Sequence, residues 1–421
     1  CAGYDLIRDA GVFMPAEHQA IREQLLRPAA RLIMKHNIGI HNIQCWHNAA
    51  IGSAGLMLRD RDLVSFAVES EVGVLEQIKQ GVLSDGFWHE GSWGYHFYGM
   101  RPLLAWVETL RNCGLDLYDM HLKRMFDAPL KAMLPDGSLP AFHDSGGPHL
   151  RATAPSYEVG FARYQDPALA WPLIGESRDS LQALLYGAET LPKEIPETGR
   201  STHLNRSGFV YLRQGEKDDP NYLALDYGPH GGGHGHPDKL GFVLYGAGQV
   251  LAPDPGSVAY GIPIYQKWYK QTVCHNTLLV NQKSQIPCTG QLDVLANGKD
   301  FDVVRISAEE AYEGVRLSRT VLFLGNTTLF LDRMTGGQHH MFDWVLHCRG
   351  QLRTDFKRSR SKESIGEGDG YELIEDVRLG APEGNWRATW RTEDAGLRLS
   401  MVGSRNPTEV ISGRGYDNAG D

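Results

Sequence analysis

The sequence contains no long apolar run, no paired-cysteine motif and no excess of positive charge. No stretch reaches the roughly 18 consecutive apolar residues that a membrane-spanning helix requires. The formal net charge is −9 at pH 7, whereas a general nucleic-acid binder presents a basic face, so we expect no nucleic-acid partner. The six cysteines are scattered without a CxxC pair, which predicts mostly buried free thiols rather than a disulfide framework.

The first residues show neither an initiator methionine nor a secretory leader. Residue 1 is Cys, and no basic segment followed by an apolar core opens the chain. We therefore expect a processed or trimmed portion of a longer protein. Its 421 residues are too many for one ordinary core, so the length predicts two or three domains.

Hydrophobic periodicity divides the chain into two parts. Between about residues 16 and 191, apolar residues recur at helical spacing, and residues 60–80 read as one of the helices. From about residue 200, short runs rich in β-branched and aromatic residues alternate with Gly and Asn, and the Gly325-Asn326 pair predicts a hairpin. The sequence thus predicts an α+β multidomain protein, with a helical domain over 1–195 and an antiparallel β domain over 196–421. Two apolar helix faces are predicted, one at Leu103, Leu104, Val107 and Leu110, the other at Ile21, Leu25, Leu26, Ala29, Leu32 and Ile33.

A glycine-rich stretch in the second part, YGPHGGGHGHPDKLGF at residues 227–242, carries three histidines. His234 and His236 are two apart, so both side chains point the same way in an extended segment. Two imidazoles and a carboxylate with one open position suit a divalent ion, most simply zinc. We predict His236, Asp254 and His275 as ligands, with His234 left to face a substrate. From spacing alone, Asp254 and His275 could equally be a turn former and a buried structural histidine.

Two stretches of the helical part also concentrate polar and aromatic side chains. The segment GIHNIQCWHNAAIG enters a helix, and its polar residues could be a helix cap and nothing more. The segment EGSWGYHFYGM surrounds Tyr95 with aromatic rings of the kind that stack on sugars, although such a tyrosine is more often a packing residue.

Together these stretches resemble the heparinase II/III-like polysaccharide lyases, a group that includes exolytic oligoalginate lyases. The resemblance covers about residues 20–350 and is carried by four ordered motifs: an Asn/His-containing helix start, DGxxxEGSxxYHFY, HxHxD, and HNT after an aspartate-bearing turn. It implies an N-terminal incomplete (α/α) toroid that lacks upstream helices, followed by a C-terminal antiparallel β-sandwich with the His-rich metal loop.

The resemblance also implies roles for individual residues. The family's catalytic groups correspond to Asn42 with His41 beside it, to Tyr95 and to His234, and its zinc ligands correspond to the three residues named above. A second family tyrosine corresponds to Tyr260, with Tyr265 as an alternative placement. Substrate contacts are expected from Gln44, Trp46, His47, Trp93, His96, Arg101 and His230, with Lys239, Lys267 and Lys270 as further cationic contacts.

The implied activity is β-elimination on a uronate-containing polysaccharide or oligosaccharide, either a glycosaminoglycan or alginate. The uronate carboxyl group must be stabilised while C5 loses its proton, for which we expect Asn42. Tyr95 would protonate the departing O4, and Tyr95 or His234 would take the C5 proton, depending on stereochemistry. A zinc ion would act structurally by holding the glycine-rich loop. Such substrates occur in the periplasm or outside the cell, and an oligomer is compatible with the sequence.

Two other functions are compatible with the same residues. One is an (α/α) glycoside hydrolase of acidic oligosaccharides that uses carboxylates such as Asp85 and Glu90. The other is a non-catalytic carbohydrate-binding protein. Ultraviolet absorbance of an unsaturated product separates a lyase from a hydrolase, and the effect of replacing Tyr95 and His234 separates both from a binding protein.

Overall fold

The structure is a computed structural model that describes residues 1–196, 199–402 and 409–416. The chain forms two compact units that alternate along the sequence. The first unit comprises residues 1–90, 94–130 and 150–196, and the second comprises 91–93, 131–149 and the chain from 197 onwards. Two short segments that lie among the helices in sequence therefore belong to the second unit.

Helices account for nearly all regular structure before residue 200. Short π-helical or 3-10 turns extend several of them, for example at Ile21–Leu26 and Gln77–Gly81. The α-helices are α1 (Ala2–Ile7), α2 (Pro15–Ala20), α3 (Arg27–Lys35), α4 (Asn42–Leu58), α5 (Arg61–Glu69), α6 (Val74–Glu76), α7 (Trp93–Asn112), α8 (Met120–Ala132), α9 (Ala154–Tyr164) and α10 (Leu181–Tyr186).

The two predicted apolar helix faces have different outcomes. All four apolar residues predicted on α7 are buried, which confirms that face. The prediction for residues 21–33 was wrong in part, because Leu25 and Leu32 are each 60% exposed. Hydrophobic spacing identifies a helix and its stripe, but it does not determine which neighbouring element covers that stripe.

The predicted helix over residues 60–80 is divided into two pieces. Asp60 caps the first piece by accepting a hydrogen bond from the Leu63 backbone N–H at 3.3 Å. That piece ends at Glu69, and the chain turns sharply before α6. A Cβ atom at Gly73 would lie 2.6 Å from the carbonyl oxygen of Val68, so the turn requires glycine.

Strands account for most of the regular structure after residue 200, and all their pairings are antiparallel. The strands are β1 (Thr202–Leu204), β2 (Phe209–Glu216), β3 (Asp219–Asp226), β4 (Phe242–Gly246), β5 (Gln249–Ala252), β6 (Leu278–Val280), β7 (Gln291–Asn297), β8 (Asp302–Tyr312), β9 (Val315–Phe323), β10 (Thr328–Gly336), β11 (Phe342–Trp344), β12 (Gln351–Thr354), β13 (Ser359–Arg360), β14 (Glu375–Gly380), β15 (Trp386–Arg391), β16 (Gly396–Met401) and β17 (Val410–Arg414). They form sheets in the orders β1-β2-β3-β4-β5, β10-β9-β8-β7, β11-β6, β12-β15-β16 and β13-β14-β17.

The two largest sheets share one apolar core. Leu212 and Leu225 of the first sheet and Ile306 and Leu317 of the second are fully buried in the same cluster. Alternate residues of β9 are buried, as expected for a strand with one face on a core. The predicted Gly325-Asn326 hairpin is confirmed, because it joins the antiparallel pair β9 and β10.

The predicted α+β class, with helices first and antiparallel sheets after them, is confirmed by these elements. All six cysteines are free thiols, as predicted, but the expectation that most are buried was wrong: Cys45, Cys274 and Cys288 are buried, whereas Cys1 and Cys113 are exposed and Cys348 is half-buried. Among the residues that the structure describes, no helix combines the length and the apolar character needed to cross a bilayer.

Candidate active site

The first unit holds Asn42 in a fixed orientation at the start of α4. His41 caps this helix by accepting a hydrogen bond from the Ile43 backbone N–H at 3.1 Å. The Nδ2 atom of Asn42 donates to Oε2 of Glu90 at 2.7 Å, and the same oxygen accepts a hydrogen bond from Nε1 of Trp88 at 2.7 Å. Oε1 of Glu90 lies 3.3 Å from Nε2 of His41. Because a carboxylate only accepts, the atom of Asn42 that faces Glu90 must be its nitrogen.

The amide of Asn42 retains unused hydrogen-bonding capacity. Its Oδ1 atom is buried and has no partner among the residues that the structure describes. Burying an unpaired acceptor costs free energy, so this arrangement is typical of a group that is completed by a ligand. Glu90 thus orients Asn42, a role that the sequence did not reveal.

Aromatic rings are exposed beside this helix start in the same unit. Trp46 is 41% exposed and Tyr98 is 44% exposed, and their ring centroids are 5.6 Å apart. Tyr95 is half-buried one helical turn before Tyr98, with ring centroids 6.2 Å apart. Tyr98 was missed by sequence reasoning, although its i+3 spacing from Tyr95 puts both on one face of α7.

Two predicted substrate contacts are packed into the protein instead. His96 is fully buried, with the Trp88 backbone N–H donating to its Nδ1 at 3.2 Å and its Nε2 lying 2.9 Å from the carbonyl oxygen of Met125. Burial lowers the pKa of His96 to about 4. Trp93 is also buried. The rings of Trp93 and His96 in the EGSWGYHFYGM segment therefore pack inside the protein.

Gln44 is a further correction, whereas three predicted contacts remain open. The amide of Gln44 is fully buried: its nitrogen donates to Asn48 at 3.0 Å, and its oxygen accepts from the Ile38 backbone N–H at 3.0 Å. His47 is half-buried, and burial, followed by the charge of His41, lowers its pKa. Arg101 is exposed on α7. His47, Arg101 and Trp46 stay predictions.

The second unit gathers the glycine-rich loop around one carboxylate, Asp144, which sequence reasoning missed. The side chain of Asp144 is buried. Burial raises its pKa, but hydrogen bonds from His234 and His236 and the charge of Lys270 lower the pKa more, to well below its ordinary value. The surrounding groups lie at His234 Nδ1 3.1 Å, His236 Nε2 3.0 Å, Ser257 Oγ 3.1 Å, Tyr260 OH 3.3 Å, Tyr265 OH 2.9 Å and Lys270 Nζ 3.4 Å.

Both candidate second tyrosines meet this carboxylate. Tyr265 is buried, and its hydroxyl lies within 3.1 Å of both oxygens of Asp144. Tyr260 is 51% exposed, and its hydroxyl lies 3.4 Å from Nδ1 of His234. Tyr260 is therefore the tyrosine that combines contact with His234 and access to solvent.

Lys270 holds the glycine-rich loop, although it was predicted to contact substrate. Its ammonium group donates to the carbonyl oxygens of Gly233 at 3.1 Å and Gly235 at 2.8 Å. A Cβ atom at Gly235 would lie 1.3 Å from the carbonyl oxygen of His230, so the loop cannot close with a larger residue there. His230 is half-buried, and burial lowers its pKa, whereas Lys267 is exposed. The predicted substrate roles of His230 and Lys267 stay predictions.

Lys239 was also predicted as a substrate contact, but it lies in a buried charge cluster. Its ammonium group pairs with Asp226 and lies 3.3 Å from Oδ1 of Asp238. Nε2 of His143 lies 3.4 Å from a carboxylate oxygen of each aspartate. Burial lowers the pKa of His143, but the charge of Asp238 raises it more, to about 9. The Lys239 side chain is therefore buried in ion pairs and is not accessible to a substrate.

The three predicted metal ligands, His236, Asp254 and His275, lie close together, and a fourth residue, Asp238, lies beside them. Nδ1 of His275 lies 2.7 Å from Oδ2 of Asp254, and the ring centroids of His236 and His275 are 5.2 Å apart. Ligand atoms of Asp238, Asp254 and His275 all lie within 4.8 Å of one another. Sequence reasoning missed Asp238, which is the last residue of the HxHxD motif.

Unpaired buried atoms indicate that these four residues could hold a metal ion. Nδ1 of His236, Nε2 of His275 and Oδ2 of Asp238 are buried and have no hydrogen-bond partner within the described ranges, whereas Oδ1 of Asp238 makes the ion pairs with Lys239 and His143. Because Nε2 of His236 is bonded to Asp144, Nδ1 is the nitrogen left for coordination. Burial lowers the pKa of His275, but the charge of Asp254 raises it more, to well above its ordinary value. A histidine must be deprotonated to coordinate a metal, so a bound ion would take the place of this proton.

Three known proteins resemble this chain in sequence or in fold. An alginate lyase of Stenotrophomonas maltophilia is 24% identical over 429 aligned positions, covering 88% of this chain and 57% of that protein. An exo-oligoalginate lyase of Saccharophagus degradans is 25% identical over 465 positions, covering 96% and 62%. The crystal structure of heparan sulfate lyase HepC from Pedobacter heparinus has a TM-score of 0.64 at 19% identity, covering 99% and 64%, a likeness that concerns the fold alone.

This chain thus spans about three-fifths of the length of each of these relatives. A family model described as Alginate lyase matches residues 3–139, and one described as Heparinase II/III-like, C-terminal, matches residues 196–415. The second match covers more than half of the chain and confirms the resemblance noted in the motifs. The chain belongs to the heparinase II/III-like family.

Proposed function

We propose that this chain acts as a polysaccharide lyase on a uronate-containing polysaccharide or oligosaccharide. The observation that carries the proposal is the contact between Nδ1 of His234 and the buried carboxylate of Asp144 at 3.1 Å. A carboxylate accepts the Nδ1 hydrogen and so selects the tautomer in which Nε2 carries the lone pair. An imidazole oriented in this way is suited to take a proton from carbon.

The proposed reaction is β-elimination, and it needs three functions from the protein. Asn42 donates the second hydrogen of its Nδ2, the one not bonded to Glu90, to the uronate carboxyl group, where negative charge increases as C5 loses its proton. His234 takes that proton in one stereochemical series, and Tyr95 takes it in the other. Tyr95 also donates a proton to O4 as the C4–O4 bond breaks and the C4–C5 double bond forms. Tyr260, close to His234, is proposed as the second tyrosine of the site.

We further propose that His236, Asp254 and His275, joined by Asp238, hold a structural zinc ion. Two imidazoles with carboxylates are a ligand set that zinc accepts. A bound zinc ion would supply fixed positive charge that keeps the loop segment around His236 in place. The proton transfers above use only side chains of the protein.

Alginate is the substrate that we propose to test first. The two relatives described above are named as acting on alginate or oligoalginate, and the match over residues 3–139 is to an alginate lyase model. The solved structure with the same fold is named as a heparan sulfate lyase, so glycosaminoglycans are the second class to test. Polymers of both classes are encountered in the periplasm or outside the cell, where we propose that the protein acts.

The test is ultraviolet absorbance of the unsaturated product, with alginate, heparan sulfate, chondroitin sulfate and hyaluronan offered separately. Tyr95→Phe and His234→Ala are measured beside the wild type, with His340→Ala as a control histidine outside the cluster. We expect absorbance to rise on one polymer class, and each of the two variants to lower the rate by at least about 100-fold on a substrate that requires its residue. No absorbance from the wild type on any uronate polymer would contradict the proposal.

The hydrolase alternative has less support from the geometry. Glu90 already accepts hydrogen bonds from Asn42 and Trp88, so its carboxylate serves to position an amide. New reducing ends without ultraviolet absorbance would favour the hydrolase. Saturable binding of a polymer without any product would favour a carbohydrate-binding protein.

A further inference from the structure

We propose that Asp144 is a positioning residue that sets the tautomers of both loop histidines in opposite senses. This inference rests on the proposed function, because it concerns the residues that we assign to proton transfer and metal binding. One carboxylate would thereby prepare His234 to accept a proton and His236 to coordinate an ion.

The division of labour follows from which atoms meet. Oδ2 of Asp144 lies 3.1 Å from Nδ1 of His234, whereas Oδ1 lies 3.0 Å from Nε2 of His236. A carboxylate oxygen accepts, so each of these ring nitrogens carries its hydrogen. The lone pair is then on Nε2 of His234 and on Nδ1 of His236, and the latter nitrogen is the buried, unpaired atom described above.

Asp144 is itself held firmly enough to act in this way. Its backbone N–H donates to the carbonyl oxygen of His234 at 3.0 Å, and its own carbonyl oxygen accepts from the Ser92 hydroxyl at 2.7 Å. Lys270 lies 3.4 Å from Oδ2 and also donates to the carbonyl oxygens that flank His234, at Gly233 and Gly235. The carboxylate and the loop are therefore fixed to each other by both side-chain and main-chain bonds.

The number of donors around Asp144 exceeds what a structural contact needs. A carboxylate offers about four lone-pair positions, yet the groups of six residues converge on this one. Two of them are imidazoles, two residues apart on the same loop, and each meets a different oxygen. The contact with His236 is the geometry by which a carboxylate orients a metal-binding histidine and raises its basicity.

The decisive variant is Asp144→Asn. Asparagine presents one accepting oxygen and one donating NH₂ group, so one of the two histidines must lose its acceptor and change tautomer. We expect kcat to fall by about 10- to 100-fold with KM within about threefold, and affinity for the divalent ion to fall by about 10- to 100-fold. Metal affinity is measured by competition with a chromogenic chelator, and the visible spectrum of the Co²⁺-loaded protein should shift.

Asp302→Asn is the matched control. Asp302 is another buried aspartate of the second unit, and it accepts hydrogen bonds from Ser201 at 2.7 Å and Gln214 at 2.8 Å. We expect this variant to lower Tm while leaving kcat, metal affinity and the Co²⁺ spectrum unchanged. If Asp144→Asn behaves like Asp302→Asn in all three readouts, Asp144 is only structural and the proposal is wrong.

A measurement on the wild type avoids dependence on the folding of a variant. With ¹⁵N-labelled histidine, NMR of the metal-loaded protein reports which ring nitrogen carries hydrogen, and His234→Gln and Asp144→Asn assign the signals. We expect hydrogen on Nδ1 of His234 and on Nε2 of His236, and the same tautomer in both rings would overturn the proposal. These readouts need no turnover, so an inactive wild type would refute the proposed function while leaving the tautomer result to decide this inference.

Discussion

Nδ2 of Asn42 lies 2.7 Å from Oε2 of Glu90, so that the carboxylate determines which side of the amide remains for a substrate. Replacing Glu90 with glutamine puts a group there that both donates and accepts, and the amide of Asn42 can then turn over. Because a small misplacement of a catalytic group is costly, we expect Glu90→Gln to lower kcat/KM by on the order of 100-fold. Steady-state ultraviolet assays on the active polymer measure the change.

Asp85→Asn is the control for this variant, since Asp85 is the other carboxylate considered for hydrolysis. Near-wild-type activity of Asp85→Asn agrees with the lyase assignment. A larger loss of activity in Asp85→Asn than in Glu90→Gln would contradict the role given to Glu90.

The exposed rings of Trp46 and Tyr98, 5.6 Å apart, form a surface on which a sugar can stack. Truncating either ring removes binding area without touching the reacting atoms. We expect Trp46→Ala and Tyr98→Ala each to raise KM by about 3- to 10-fold with little change in kcat. Phe301→Ala removes a similarly exposed ring from the second unit and should leave both constants unchanged. A loss confined to kcat would argue against stacking.

The unpaired Nδ1 of His236, Nε2 of His275 and Oδ2 of Asp238 predict one tightly bound divalent ion per chain. We expect His275→Ala to abolish stoichiometric metal binding and Asp238→Asn to weaken it by at least about 10-fold. Elemental analysis and thermal unfolding with and without a chelator measure both effects, with His340→Ala as the control. If Asp238→Asn retains full affinity, Asp238 serves only the buried charge cluster.

Buried His96 predicts a specific dependence of stability on pH. Its pKa is about 4 in the folded chain against an ordinary value of 6.5, so between these values the unfolded chain binds more protons. The contribution of neutral His96 to the free energy of unfolding is therefore fully present above pH 6.5. It is lost as the pH falls towards 4, by roughly 3 kcal/mol in total. Urea unfolding of the wild type and His96→Gln across this range measures the difference in slope.

The control for this prediction is His339→Gln, which replaces an exposed histidine of the second unit. Its pH profile of unfolding should follow the wild type. Equal slopes in the wild type and His96→Gln would mean that other groups dominate acid unfolding.

The spacing of apolar residues and the turn residues predicted most of the secondary structure, because secondary structure depends largely on neighbours in sequence. The spacing of Leu103, Leu104, Val107 and Leu110 identified a buried helix face, and Gly325-Asn326 identified a hairpin. The same spacing failed at Leu25 and Leu32, where tertiary contacts decide burial. The domain boundary between residues 195 and 196 stays a prediction.

The candidate site was predictable only where a motif concentrates its residues. Glycines around His234 and His236 marked that loop, but Asp144 stands in FHDSGG, away from any repeat or metal spacing. A signal did exist, since a histidine and an aspartate precede two glycines there. Trp93 and His96 were misassigned because composition cannot distinguish a ring that packs from one that is exposed.

Asp144 belongs to the second unit, but residues 150–196 of the first unit separate it in sequence from most of the second unit. Segment 131–149 also supplies the main-chain acceptors for Tyr222, at Ala132, and for Arg213, at Met133. A fragment that begins after residue 195 would lack all of these groups. The two units therefore cannot be separated by one cut in the polypeptide, and a single recombination event could not transfer either of them whole to another protein.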